Sequence, residues 1–162
     1  MTQLSGTLHQ YIGRTVDVLA FDDAKATGDA LLTQTLVQPG QSGALITGIE
    51  KLVQRFLLEL LTEQGSMPYA LARGTFFMTQ IRAGMLSTSQ DLFAAFGAAE
   101  LEIRTNLRTE EDVATNPADE RYKSASLLAA SLQGDLAVLT IQVMSVADVS
   151  RTVIYPLRVS IS

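Results

Sequence analysis

An α+β fold is predicted, with two main helices packed on a small antiparallel sheet, and three observations predict it. Apolar residues recur at helical spacing through residues 44–64, a second capped helical run covers residues 89–111, and the chain after Glu120 is strand-like with short turns. The C-terminal strands form a three-stranded meander. Two strand-like stretches nearer the N-terminus are candidates to join a sheet.

Residues 1–13 show no strong periodicity and read as an N-terminal arm. From Arg14 to Phe21, Val16, Val18 and Ala20 alternate with Thr15, Asp17 and Leu19, which suits a short strand. Leu31 to Val37 is a second candidate, ended by the turn residues Pro39, Gly40, Ser42 and Gly43. The expected division is an arm with short strands over 1–43 and a single α+β domain over 44–162. In the first helix, Leu45, Ile49, Leu52, Val53, Phe56, Leu57, Leu60 and Leu61 share an apolar arc of about half the circumference. Leu58 falls outside that arc, among Lys51, Gln54 and Arg55. It is either an ordinary surface leucine or a contact for a second partner. Gly65 suits the left-handed residue that ends a helix, and Pro68 prevents an immediate restart.

For the second helix, Thr88 or Ser89 is the expected N-cap, with Asp91 favourable at the positive end of the dipole. Leu92, Phe96, Ala99, Ile103 and Leu107 form its buried stripe, and Glu100 precedes Arg104 by one turn. Asn116-Pro117 ends any helix before it. The strands expected after that are Tyr122–Leu132, Leu136–Met144 and Thr152–Ile161, joined by short turns. Pro156 cannot donate to a ladder, so the last strand belongs at an edge or carries a break.

Composition narrows the chemistry. The chain has 162 residues, enough for one sizeable core, and 12 basic against 17 acidic residues leave it at −5. Dispersed, outnumbered basic residues do not suit nucleic-acid binding. With no cysteine and only His9 as imidazole, thiolate chemistry and multi-histidine metal sites are excluded, and no cofactor-binding glycine motif is present. The apolar-rich segment 44–61 is broken by Glu50, Lys51, Gln54, Arg55 and Glu59, so no membrane span is expected. The first residues lack the basic start and apolar core of a signal peptide, which points to synthesis without export. Two carboxylate pairs remain for hydrolytic chemistry, Glu59 with Glu63 and Asp119 with Glu120; both read most simply as solvated charges. Charged residues are only 18% against 47% apolar, below the ~25% charged of a typical domain, which suits a subunit that buries more surface on assembly.

The stretch from Leu52 to Met78, LVQRFLLELLTEQGSMPYALARGTFFM, carries a helix of the type "I..nI..LL.T..G" followed by a turn with Met-Pro, aromatic and Arg-Gly positions. Through Leu60, Leu61, Thr62, Gly65, Met67, Pro68 and Gly74 it resembles the baseplate wedge family of contractile phage tails, the sheath initiators, also called lysozyme-like. The likeness extends over roughly residues 44–161. The family usually has Glu-Pro-Arg before the meander, whereas this chain has Asp119-Glu120-Arg121, with Arg121 in place of the family arginine.

The resemblance implies a structural, non-enzymatic virion protein of the tail baseplate, assembled in the host cytoplasm, that resembles the inner domain of the sheath subunit. Its implied partners are other wedge subunits and the tail sheath protein, with tail tube or hub proteins as further neighbours. Arg55, Leu58 and Tyr69 are then the expected wedge contacts, with Arg121 at the corner before the meander. Val153, Tyr155 and Val159 are expected on the sheath-facing strand, where an unpaired edge can accept an incoming strand. Alternatives are an adaptor of another contractile injection machine, such as a type VI secretion baseplate, an unrelated binding module, or a peptidoglycan-cleaving muramidase using Glu59, Glu63 and Glu120.

Overall fold

The computed structural model describes residues 12–18, 45–134 and 136–158. The expected strand at 31–37, His9 and Val159 lie outside the described residues. Two short strands, β1 (Asp17–Val18) and β2 (Leu45–Ile46), pair antiparallel, followed by helices α1 (Ile49–Leu61), α2 (Phe77–Arg82) and α3 (Ser89–Glu110). A single 3-10 turn, Ala118–Glu120, leads into β3 (Tyr122–Gln133), β4 (Leu136–Ser145) and β5 (Ser150–Arg158), an antiparallel meander in the order β3-β4-β5. The fold is α+β, as expected.

Helix α1 begins at Ile49 rather than at 44 because Leu45 and Ile46 are used as a strand and Gly48, at φ 63°, turns the chain between them. Leu45 is therefore exposed instead of sharing the helix arc. The rest of the arc holds: Leu52, Val53, Phe56, Leu57 and Leu60 are buried, with Ile49 and Leu61 packed at the margin. The helix stops at Leu61, with Thr62 extended, so Gly65 (φ 81°) serves the following turn and not the helix end. Helix α2 was not legible from periodicity. It is six residues long, and only Phe77 and Ile81 are fully buried, with Met78 packed at the core margin.

Helix α3 follows its sequence signals closely. Thr88 Oγ1 accepts from the Asp91 amide at 3.1 Å while Asp91 Oδ2 accepts from the Thr88 amide at 2.8 Å, a reciprocal capping box. Hydrogen bonds with the Thr88 side chain and amide, and with Ser87, hold the Asp91 carboxyl below the usual carboxylate range. The stripe Leu92, Phe96, Ala99, Ile103 and Leu107 is buried throughout.

The inner sheet face supplies Ala137, Leu139, Ile141 and Val143 from the central strand and Val153, Tyr155 and Leu157 from β5. Alternation of buried and less buried positions along β4 is the period of two that a one-sided sheet demands. Strand β5 occupies an edge, where Pro156 sits opposite Val138 without breaking the register. At the centre, Phe56 stacks on Tyr122 with centroids 5.9 Å apart and an interplanar angle of 9°, and Phe96 tilts against Phe56 at 6.1 Å. The Tyr122 hydroxyl donates to Glu100 Oε1 at 2.8 Å, and Glu100 is in turn clamped by Arg104 one helical turn on.

Two measurements test this packing. In urea unfolding, Phe56→Ala should lose about 3–5 kcal/mol, whereas Thr88→Ala should lose only about 1 kcal/mol. Burial pushes the Tyr155 phenol from 10.0 up to about 12. Because the folded value lies above the unfolded one, this contribution is fully present below about pH 10 and is lost as pH rises toward 12. Tyr155→Phe should accordingly flatten the fall of stability across that alkaline window, measured by denaturation at each pH.

Candidate functional site

The segment between α1 and α2 is a closed loop with a built base and an apolar tip. At its base Glu63 and Thr75 form a parallel bridge: the Thr75 amide donates to Thr62 O at 2.9 Å and the Gln64 amide to Thr75 O at 3.0 Å. Thr75 Oγ1 also donates to Leu60 O at 3.2 Å, and Arg82 pairs with Glu63 at 2.6 Å. Gly74 is required here. It has φ 84°, and a Cβ would stand 2.4 Å from Thr62 O.

Glu59 holds the loop from beneath. Its carboxylate is almost wholly buried and accepts from the Gly74 amide at 3.0 Å and from Asn106 Nδ2 at 3.3 Å, and it pairs with Arg73. Asn106 also donates to Ala72 O at 3.3 Å. Arg73 bridges to Glu110, which pairs with Arg55 at 3.5 Å; Arg55 reaches Glu111 at 3.8 Å. Burial raises the Glu111 carboxyl, although the Tyr122 amide and nearby arginines, Arg55 first, act to lower it. The alternating chain Glu59–Arg73–Glu110–Arg55–Glu111 thus ties the loop to α1 and α3.

Above this base, residues 64–72 carry no charge, and Met67, Tyr69 and Leu71 are exposed, Tyr69 completely. Phe76 and Met85 add exposed apolar surface at the two ends of α2. Turns internal to the loop fix its shape, with the Ala70 amide donating to Met67 O at 3.1 Å and the Arg73 amide to Ala70 O at 2.9 Å. An apolar group displayed on an ordered backbone suits protein recognition, since little conformational entropy remains to be lost on binding.

A second buried carboxylate organises the opposite end of α1. Glu120 Oε1 accepts from Thr47 Oγ1 at 2.8 Å and from the Gly48 amide at 3.3 Å, while Oε2 accepts from Thr15 and lies 4.0 Å from Lys51 Nζ. Arg14 pairs with Asp119 at 2.5 Å, and Gln54 donates to Asp17 at 3.1 Å. Glu120 therefore compensates the free donors and positive dipole at the start of α1, where Gly48 has no side chain to do so. The reading of Glu59 and Glu120 as solvated charges is corrected: both are buried because each meets donors from distant parts of the chain.

The residues expected at interfaces divide into two groups. Tyr69 and Leu58 are exposed, Leu58 at 38%. Arg55 lies three residues before Leu58 and is joined through Glu110 and Arg73 to the loop that carries Tyr69, so these three belong to one region. Arg55 is itself half-buried in ion pairs. Arg121 is half-buried before β3; its Nε is shielded from solvent and has no hydrogen-bond partner among the described residues. Val153 and Tyr155 face the core, so they support β5 from inside, and the outward residue between them is Ile154, 56% exposed. Met67 and Leu71 were missed beside Tyr69. Their signal was the uncharged run around Met67-Pro68-Tyr69 between the charges of Glu63 and Arg73.

No metal-binding group of histidine, aspartate and glutamate side chains occurs among the described residues. No described helix is long and apolar enough to cross a membrane. No family model matches the chain, and no curated protein or solved structure matches it either.

If Glu59 holds the loop, Glu59→Ala should strand the Gly74 amide and Arg73 and cost about 3–5 kcal/mol. Limited trypsin digestion should then cut after Arg73 faster than in the parent protein. An unchanged cleavage rate would show that the loop keeps its shape without this carboxylate.

Proposed function

We propose that the chain is a structural, non-enzymatic subunit of a contractile-tail baseplate wedge, linking wedge subunits to the first ring of tail sheath and initiating sheath assembly. The observation that carries this reading is the ordered loop over 62–76. The residues behind the family likeness, Leu60 to Gly74, build a rigid base and display an uncharged tip of Met67, Tyr69 and Leu71. A surface so constructed has no use inside the chain's own core. With Leu58 beside it, it suits a wedge partner.

Strand β5 carries the face assigned to the sheath. Val153 and Tyr155 are committed to the interior, and Arg151, Pro156 and Arg158 guard the backbone edge of β5, so the contact falls to the outward side chain of Ile154. Glu59 and Glu120 lend no support to the muramidase alternative, because the oxygens of each are occupied by donors that hold the fold together. An adaptor of another contractile injection machine would use the same surfaces. The subunit then resides in the virion baseplate and, before assembly, in the host cytoplasm.

Two exposed substitutions separate the two contacts. Tyr69→Asp should leave thermal stability within about 0.5 kcal/mol of the parent yet prevent co-purification with wedge subunits. Ile154→Arg should permit wedge binding but yield baseplates without extended sheath in electron micrographs. Normal sheathed tails from both variants would refute the assignment.

A further inference from the structure

The two edges of the meander are guarded unequally. Along β5 stand Pro156, Arg151 and Arg158, with Arg151 paired to Glu50 at 2.7 Å. Charged residues and proline are the usual protection against strand pairing. On the other side, β3 runs from Ser124 to Gln133 without a charge or a proline, and among the described residues no strand pairs with its outer edge. Side-chain caps on that strand stop at its beginning, where Glu111 accepts from the Tyr122 amide at 2.7 Å and Arg108 donates to Lys123 O at 3.1 Å. Beyond Lys123 the edge offers its backbone donors and acceptors.

The pattern of β3 identifies what it can pair with. Ala125, Leu127, Ala130 and Leu132 sit opposite the buried Val143, Ile141, Leu139 and Ala137 of β4, so they take the inner face. Ser124, Ser126, Ala129 and Ser131 sit opposite Met144, Gln142, Thr140 and Val138 on the outer face. A bulge between Leu127 and Ala129 shifts the alternation once, leaving the extra residue Leu128, 52% exposed. The facing pattern is consequently symmetric about the link between Leu128 and Ala129.

If a second β3 is laid antiparallel about that point, inner residues meet inner and outer meet outer from Ser124 to Gln133. Leu127 then falls opposite Ala130, Ala125 opposite Leu132, Leu128 opposite Ala129, Ser126 opposite Ser131 and Ser124 opposite Gln133. Every leucine meets an alanine, and no charge meets a charge. A bulge normally spoils the register of an incoming strand. Here both copies bulge at the symmetry point, so it does not.

The neighbouring flank of α3 is compatible. Arg108 reaches β3 from this helix, and Gly97 and Leu101 share its face at helical spacing. Leu101 is 60% exposed, and a Cβ on Gly97 would meet nothing within 4 Å, so the chain's own packing does not require glycine there. The bare backbone leaves room for a close neighbour.

We propose that β3 is the pairing edge for a second copy of this chain, forming an isologous dimer whose two meanders join into one antiparallel sheet of six strands. This rests on the edge of β3 alone and stands apart from the wedge and sheath contacts, which use the loop and β5.

Analytical ultracentrifugation of the full chain over a concentration series should show a monomer–dimer equilibrium. Leu128→Lys, at an exposed position, places like charges beside the two-fold axis and should weaken the dimer about tenfold or more without loss of folded structure by circular dichroism. The chain has no native cysteine, so a register test is clean. The double variant Ser126→Cys with Ser131→Cys should give a covalent dimer under oxidation, because directly opposed residues lie within disulfide reach. Ser126→Cys alone should not, since each copy's residue then stands about 17 Å along the strand from its equivalent. A monomer at every concentration, a dimer indifferent to Leu128→Lys, or a dimer that the double variant fails to cross-link would each overturn the proposal. None of these results alters the reading of the wedge and sheath contacts, which is tested on assembled particles.

Discussion

Phe56 is the residue around which the other elements are placed. It lies in the middle of α1, stacks flat on Tyr122 at the first position of β3, and receives Phe96 of α3 on its flank. Tyr122 has no freedom to slide, because its hydroxyl donates to Glu100 and its amide to Glu111, both in or beside α3. Burial and the Glu100 carboxylate together push the Tyr122 phenol far up, keeping it a neutral donor. One stacked pair therefore sets where the meander starts relative to both long helices. The positions of β4 and β5 follow from hairpin register.

Three buried glutamates do the work that propensity and periodicity leave open. Glu120 joins the segment at Thr15 to the start of α1, Glu100 fixes Tyr122, and Glu59 carries the loop at Gly74. Burying a carboxylate costs several kcal/mol unless donors and counter-charges offset it, so such a group adds little net stability. What it adds is geometry: each of these glutamates accepts only one arrangement of its partners. The most specifically shaped parts of the surface, the 62–76 loop and the corner before β3, are the parts so held.

The core is well covered on the helix side, and apart from single exposed side chains such as Ile154 on β5, apolar surface collects at two places. One is the loop tip around Tyr69; the other is the unguarded strand β3 with Leu128 and the nearby Leu101. Surfaces separated in this way can be covered independently of one another. Their separation follows from the topology, since the loop joins α1 to α2 while β3 lies at the edge opposite β5.

The sequence alone determined the elements whose signals are local. An N-cap at Thr88 or Ser89, the stripe of α3 and the alternation along β4 could be read directly, since cap chemistry and the periods of helix and strand depend on neighbours a few residues away. That Thr88 is the cap, in a reciprocal box with Asp91, came from the structure. Pro156 likewise announced its edge, because a missing N–H is a property of one residue. Only the tertiary structure decided that Leu45 is a strand residue, that Glu59 and Glu120 are buried, and that Val153 and Tyr155 face inward while Ile154 does not. Each of these outcomes depends on what arrives from elsewhere. Glu59 is buried because Asn106 and Arg73 meet it, and Glu120 because Thr15 and Thr47 do. A residue's burial is set by partners far along the chain, which no short window of sequence contains.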